Sequence, residues 1–87
     1  MPGPSLRIDK LLFFLRLAKS RTLAQAWAEA GHIRINSVRV EKGSFAVHVG
    51  DVITLPRGDE VLAVKILQLP SRRGPSSEAQ ACYQPAI

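Results

Sequence analysis

Residues 31–40 read Gly-His-Ile-Arg-Ile-Asn-Ser-Val-Arg-Val, and the hydrophobic period changes within this stretch. Polar and apolar side chains alternate over residues 32–35 and again over 38–40, which is typical of half-buried strands. Asn36 and Ser37 lie between the two runs as a two-residue turn. The pattern therefore predicts a β-hairpin. Its cross-strand pairs would be Ile35 with Val38 and Arg34 with Arg39.

The first of two helices predicted upstream of this hairpin begins at Ile8 and extends to about Leu17. Its apolar side chains recur at helical spacing and define a stripe that faces the core: Ile8, Leu11, Leu12 and Leu15. Residues 1–6 contain two prolines and a glycine. We expect them to form a flexible lead-in to the helix.

The second predicted helix runs from Arg21 to Ala30. Ser20 is a favourable N-cap for it, because a serine hydroxyl accepts a hydrogen bond from a free N–H group of the first turn. Gly31 fits the left-handed conformation that commonly ends a helix. We expect its apolar stripe to consist of Leu23, Trp27 and Ala30.

Further short strands are predicted after the hairpin, at residues 45–49, 52–55 and 61–69. The tail from Pro70 could contain a short helix that begins at Pro75 or Ser76 and runs through Glu78, Ala79 and Tyr83. This order of elements predicts an α+β fold, with two N-terminal helices packed on a small, mostly antiparallel sheet. We divide the chain into a domain of residues 1–69 and a tail of residues 70–87.

The basic side chains are concentrated in the first half of the chain. Residues 1–42 contain eight of the twelve Lys and Arg residues but only three of the seven Asp and Glu residues. Such an asymmetry favours a polyanionic partner such as nucleic acid. The alternative is a basic protein whose charges only keep it dispersed. Among the few aromatic residues, Phe13 lies away from the predicted core stripe, where its ring could stack on a base.

Two features would bring these cations together. Arg16, Lys19 and Arg21 surround the junction of the helices, where the free N–H groups at the start of the second helix attract phosphate. In the hairpin, Arg34 and Arg39 would form a like-charge pair, which destabilises a sheet unless an anion lies between them. The alternatives are that the capping serine only caps the helix and that both arginines extend into water.

Residues that could support catalysis or hold a metal are sparse. His32, His48 and Cys82 show no recognisable metal-ligand spacing, and no Gly-rich phosphate loop follows a strand. We therefore expect no catalytic residue, no metal and no cofactor. No apolar run approaches the ~18 residues that a membrane span needs, and we expect no secretory signal. A single cysteine suits a reducing compartment, so we expect a cytoplasmic location.

Several stretches of the chain, in this order and spacing, resemble a known family: Arg7-Ile8-Asp9-Lys10-Leu11-Leu12, Ser20-Arg21 with Ala24, Gly31 through Val38, and Gly50-Asp51-Val52-Ile53. They are similar to the small RNA-binding domain of ribosomal small-subunit protein four, over roughly residues 6–55. Within that family, the chain most resembles the ribosome-associated heat-shock protein fifteen group, whose members are small and basic. The resemblance implies the alpha-L RNA-binding motif, in which the helix pair and the hairpin face structured RNA.

The resemblance also implies a partner and a set of contacts. The partner would be ribosomal RNA of the large subunit, in a heat-shock, recycling or rescue role. Carried over residue by residue, the RNA contacts would be Arg7, Lys10, Arg16, Lys19, Ser20, Arg21, Arg34, Asn36 and Arg39. The chain departs from the family in two places. Its turn reads Asn-Ser where the family usually has Asn-Gly, and its C-terminal part is shorter and less basic.

Two other functions remain open at this point. The chain could recruit RNA for a separately encoded RNA-modifying enzyme. It could also be a protein-interaction adaptor that uses Phe13, Leu17 and the sheet face. No apolar stripe suited to dimerisation remains once the core is assigned, so we expect a monomer.

Overall fold

The computed structural model describes residues 3–86, so Met1 and Pro2 of the predicted lead-in and Ile87 lie outside the described residues. The elements follow one another as β1 (Leu6–Arg7), α1 (Ile8–Phe14), α2 (Arg21–Glu29), β2 (Arg34–Ile35), β3 (Val38–Arg39), β4 (Ala46–Val47), β5 (Val52–Arg57), β6 (Glu60–Ile66), α3 (Ser76–Gln80) and β7 (Tyr83–Pro85). This architecture confirms the predicted α+β class.

Helix α1 is shorter than its apolar pattern predicted. The predicted stripe of Ile8, Leu11, Leu12 and Leu15 is buried. The helix nevertheless ends at Phe14, and Arg16 adopts a left-handed φ of +61°. The N–H groups of Leu17 and Ala18 then both donate to the carbonyl of Leu12, at 3.0 and 3.1 Å. The prediction that the helix reaches Leu17 was wrong, because Leu17 packs against the core from a turn that folds back over the helix end.

Helix α2 begins at Arg21, as predicted, and ends at Glu29, one residue before the predicted end. The Ser20 hydroxyl accepts the N–H of Leu23 at 3.1 Å, which satisfies one of the free donors of the first turn. Gly31 adopts a φ of +78° directly after the last turn, a conformation that disfavours residues with a side chain. Both ends are therefore determined by residues within or next to the helix.

The buried face of α2 differs from the prediction. Ala24 and Ala28 are fully buried, whereas Leu23 and Ala30 are exposed and Trp27 is half-buried. The prediction was wrong for Leu23 and Ala30, whereas Trp27 does pack against the core. Alanines at the contact allow the backbones of α1 and α2 to approach closely, and the bulkier side chains then lie at the edges of the interface.

Strands β2 and β3 form the predicted hairpin in the predicted register, with Arg34 opposite Arg39 and Ile35 opposite Val38. Asn36 and Ser37 have φ values of +52° and +71°. Positive φ at both central residues is the requirement of a type I′ turn. Ser37 thus adopts a conformation that glycine tolerates better, and the register is retained without the glycine.

The hairpin belongs to a five-stranded antiparallel sheet in the order β3-β2-β5-β6-β7, while β1 and β4 form a separate antiparallel pair. The inner face of the large sheet packs against α1 through alternate apolar side chains, which include Ile33, Ile35, Ile53, Leu55, Val64 and Ile66. β4 and β6 are shorter than the predicted strands 45–49 and 61–69, and β5 is longer than the predicted strand 52–55.

The C-terminal region contributes to the core and to the sheet. Cys82 is buried in the main core, and Ala79 of α3 is buried as well. β7 pairs with β6 at the edge of the sheet and includes Pro85. The prediction that the tail helix runs through Tyr83 was wrong, because α3 ends at Gln80 and Tyr83 begins this strand. Proline is tolerated on an edge strand, where one N–H is not needed for pairing. The division into a domain of residues 1–69 and a tail of residues 70–87 stays a prediction.

Candidate nucleic-acid interface

A buried carboxylate lies at the start of α1. Asp9 is only 1% exposed. The guanidinium of Arg7 donates to both of its oxygens, with Nε 3.1 Å from Oδ1 and Nη2 2.8 Å from Oδ2. The backbone N–H of Lys10 donates to Oδ1 at 2.6 Å, and Nη2 of Arg21 lies 3.9 Å from the same oxygen. Because a buried carboxylate is costly unless it is paired, Asp9 draws together two arginines from β1 and α2.

Both arginines of this cluster keep about half of their side-chain surface exposed, 49% for Arg7 and 47% for Arg21. A guanidinium has five N–H donors, and the ion pair with Asp9 uses only part of them. Each arginine can therefore still donate to an anion in solvent. The sequence prediction included both arginines but missed the burial of Asp9. The Arg-x-Asp spacing was the signal that could have indicated the pair.

The loop between β3 and β4 closes over this cluster. Gly43 is buried, and its carbonyl accepts the N–H of Asp9 at 3.2 Å. A Cβ atom at position 43 would lie 3.0 Å from Oδ2 of Asp9 and 3.0 Å from Cγ of Gln25. The close approach of this backbone to the carboxylate favours glycine, because a Cβ atom would fit only if Asp9 and Gln25 shifted. Sequence reasoning did not identify Gly43, because the reason for the glycine is a contact distant in sequence.

Ser20 and Lys19 lie at the start of α2, next to the cluster in sequence. The Ser20 hydroxyl oxygen accepts from Leu23, and its hydrogen remains able to donate. Lys19 is exposed. Lys10 lies on α1, with its ammonium 5.5 Å from the centroid of the Phe14 ring, a cation–π distance. These three polar groups lie at the start of α2 and on α1, where the sequence predicted RNA contacts.

Two hydrogen bonds join the C-terminal region to the end of α1, and each side donates one of them. Nε of Arg16 donates to the carbonyl of Gly74 at 2.8 Å, and Nε of Arg73 donates to the carbonyl of Phe13 at 3.1 Å. The Arg73 guanidinium also lies 4.7 Å from the centroid of the Phe13 ring. A cation already occupies this side of the ring that the sequence suggested for base stacking. Arg16 likewise contacts the C-terminal region, which the sequence did not indicate.

Arg34 and Arg39 face each other on the solvent side of the hairpin, as predicted. Within residues 3–86, neither side chain makes a hydrogen bond or ion pair. The stem of Arg39 lies against Gly31, where a Cβ atom would be 3.2 Å from its Cδ. Two guanidinium groups are thus presented next to the end of α2 with their donors unused. No hydrogen bond or ion pair in this part of the chain joins them to the Asp9 cluster.

Asn36 has a structural role in addition to the predicted contact. Its amide nitrogen donates to Oδ1 of Asp51 at 3.0 Å, and its amide oxygen accepts the N–H of Val52 at 2.9 Å. Oδ2 of Asp51 accepts the N–H of His48 at 2.9 Å. The turn of the hairpin is therefore tied to the turn before β5. An amide contact with RNA would use the remaining N–H of Asn36.

Other kinds of site have little support in the region the structure describes. Between residues 3 and 86, no group of three or more His, Cys, Asp and Glu side chains is arranged to hold a metal ion. Of the two histidines, His32 is exposed and His48 is half-buried. In the same region, no helix has the length and apolar character to cross a membrane.

Comparisons with known proteins identify the family of the chain. The S4 domain family matches residues 6–53. The heat shock protein 15 homolog of Haemophilus influenzae is 37% identical over 84 residues, which are 97% of this chain and 63% of that protein. The chain thus spans somewhat less than two thirds of the length of this relative. The RQC P-site tRNA stabilizing factor of Streptococcus pneumoniae is 34% identical over 64 residues, which are 74% of this chain and 72% of that protein.

A solved structure of heat shock protein 15 from Vibrio cholerae has the same fold. It superposes with a TM-score of 0.89 at 32% identity, and the match covers 95% of this chain and 83% of that one. That protein is described as trimeric. The trimer gives no support to the monomeric state that we expected from the sequence.

Proposed function

The chain belongs to the S4 domain family, and from this premise we propose that it is an RNA-binding protein that acts on the ribosome. The observation that carries the proposal is the cross-strand pair of Arg34 and Arg39. Two like charges at directly opposite positions destabilise a sheet, and neither arginine has a side-chain partner within residues 3–86. A phosphate between them would turn this repulsion into two charge-assisted contacts.

The proposed contact surface has three parts. The Asp9 cluster presents Arg7 and Arg21, the start of α2 adds free backbone N–H groups, and the hairpin adds its arginine pair. The residues that we propose to contact RNA are Arg7, Lys10, Arg16, Lys19, Ser20, Arg21, Arg34, Asn36 and Arg39. Helices and a hairpin with these donors suit structured RNA, which proteins recognise by its shape and its phosphates.

The proposal extends to the partner. Relatives carry the names heat shock protein 15 and RQC P-site tRNA stabilizing factor, and the second name refers to a tRNA site of the ribosome. We therefore propose ribosomal RNA of the large subunit as the target, in a heat-shock, recycling or rescue role. A cytoplasmic location follows from that target. The proposed activity is recognition alone, without a chemical step, a metal or a cofactor.

Binding to purified ribosomal subunits across a salt series tests this function. The variant is Arg34→Gln/Arg39→Gln, because these side chains form no hydrogen bond within the described chain whose loss would disturb the fold. The charge-matched control is Lys65→Gln/Arg72→Gln, which removes two exposed cations that are not among the proposed contacts. We expect large-subunit binding that weakens with salt. In the variant, the slope of log K against log salt should fall by about one for each lost phosphate contact.

The proposal also specifies the results that contradict it. Equal losses of affinity in the variant and in the control would show that net charge alone carries the binding. An absence of binding to either subunit at low salt would contradict the ribosomal assignment. Binding to the small subunit alone would contradict the proposed target while leaving RNA recognition in place.

A further inference from the structure

Trp27 is the single tryptophan of the chain, and it lines an open cavity next to the proposed RNA surface. The cavity has a volume of about 280 Å³ and lies between the helix junction and the β5–β6 hairpin. We call it the Trp27 cavity. Leu17, Leu55 and Leu62 supply its apolar lining, and Arg16 and Arg57 supply its cations. Of its lining residues, the proposed function uses only Arg16.

The backbone conformation of Arg16 is the first sign that the cavity has a role. Its φ of +61° is uncommon for a residue with a side chain, and such strained positions cluster at functional sites. The contact of its Nε with the Gly74 carbonyl orients the guanidinium. Within residues 3–86, no hydrogen bond or ion pair uses its two terminal nitrogens. These donors remain available to a ligand.

Arg57 approaches the cavity from the opposite side. It is exposed at the end of β5, and within the described residues its side chain makes no hydrogen bond or ion pair. Its cross-strand neighbour is Glu60, yet the two do not form an ion pair within 4.0 Å. Arg57 lies on the same face of β5 as Leu55, two residues earlier. A cation without a partner thus stands at the rim of an aromatic and apolar cavity.

We propose that the Trp27 cavity binds one unpaired nucleotide of the RNA, and this inference rests on the proposed function. The base would lie against the indole and the leucines, and its phosphate would contact Arg16 and Arg57. Stacking on an aromatic ring accepts any base, because every base has a π-face. The volume is just below the roughly 300–1,000 Å³ of pockets that enclose drug-sized ligands. It therefore has room for about one nucleotide.

This site would give the protein a preference that the basic surface cannot provide. Phosphate contacts position the RNA but do not read its bases. A cavity with one aromatic wall can bind only a base that is not stacked within an RNA helix. The chain would then favour structured RNA with an unpaired nucleotide at the edge of a helix.

The experiment uses two RNA hairpins that are identical except for one bulged adenine. Fluorescence anisotropy of the labelled RNA measures the overall affinity, and the emission of Trp27 reports on the cavity, since the chain has no other tryptophan. The variant is Arg57→Gln, because Trp27 also packs against the core and its replacement could unfold the protein. The charge-matched control is Lys65→Gln, an exposed strand residue outside the cavity and the proposed contact set.

We expect the bulged hairpin to bind about fivefold or more tightly than the paired one, which is the lower end of what stacking of one base contributes. It should also quench Trp27, while the paired hairpin binds without quenching. Arg57→Gln should lose most of the preference and of the quenching at an unchanged affinity for the paired hairpin. Lys65→Gln should keep both.

Two results would overturn the inference, and they are distinguishable. Equal affinities for the two hairpins with unchanged Trp27 emission contradict the cavity alone, because RNA binding is then intact. Failure of both hairpins to bind at low salt contradicts the proposed function and the inference that rests on it.

Discussion

Asp9 shows how one residue can organise a surface without belonging to it. Its carboxylate is buried and cannot contact a ligand, yet it holds Arg7 by two hydrogen bonds and attracts Arg21. A charge-assisted pair of this bidentate kind is geometrically specific as well as strong. Gly43 completes the arrangement, because its backbone lies where any side chain would press on the carboxylate. The positions of two proposed RNA contacts thus depend on two residues that touch no RNA.

A methyl group at position 43 tests this arrangement. The added Cβ would lie 3.0 Å from Oδ2 of Asp9, which its hydrogen bonds prevent from moving away. We expect Gly43→Ala to lower the free energy of unfolding by about 1–3 kcal/mol, as overpacking does elsewhere. Urea denaturation measures it. Gly3→Ala is the matched control, since a Cβ at position 3 meets no atom within 4 Å. Equal stabilities of the two variants would contradict the close packing.

The β2–β3 hairpin is the element in which binding and stability conflict most directly. Two of its four strand residues are arginines that face each other, and its turn places Ser37 at a φ of +71°. Both choices cost stability. The register survives because Ile35 is buried and the turn length admits only one pairing. The pairing of β2 with β5 in the sheet compensates for the stability that the hairpin loses.

Replacement of Ser37 by glycine should relieve the backbone strain in the turn. We expect Ser37→Gly to raise the free energy of unfolding by a few tenths to about 1 kcal/mol, because a type I′ turn accepts glycine without a steric penalty. Thermal unfolding followed by circular dichroism measures the change. Ser44→Gly serves as the control, since Ser44 is exposed and does not have a positive φ. It should be neutral or slightly destabilising. A loss of stability in Ser37→Gly would mean that the turn is not strained.

At the scale of the whole molecule, the C-terminal region contacts the end of α1, an element from the start of the sequence. Arg16 and Arg73 donate hydrogen bonds to backbone carbonyls 58 and 60 residues away. Cys82 fills part of the core, and β7 covers the edge of β6. An uncovered edge strand is a site for unwanted pairing with other chains. The C-terminal region therefore stabilises both the hydrophobic core and the sheet.

A chain that ends at Leu69 tests whether residues 1–69 form an independent domain. We expect it to lose about 2 kcal/mol or more through the missing apolar burial, which lowers the Tm by roughly 10 °C or more. Differential scanning calorimetry measures the shift. Full-length Arg72→Gln is the control, because it removes only the exposed ion pair with Glu78 and should change stability little. An unchanged Tm in the shortened chain would support the separate domain.

The sequence by itself determined the features that depend on residues only a few positions apart. The Ser20 cap acts on an N–H three residues away, and Gly31 ends the helix by its own conformation. The hairpin register follows from a two-residue turn between alternating runs. The basic residues of the proposed surface could also be identified from the sequence, because the charge of a side chain follows from its residue type.

Only the tertiary structure decided what depends on residues distant in sequence. The burial of Asp9 requires Gly43, the end of α1 accommodates Arg73, and the packing of Ala24 and Ala28 depends on how close α1 approaches. β7 exists as a strand because β6 supplies its partner. The Trp27 cavity likewise forms where the helix junction meets a later hairpin. Such contacts leave no local pattern, because the free energy that favours them is gained only when the whole chain has folded.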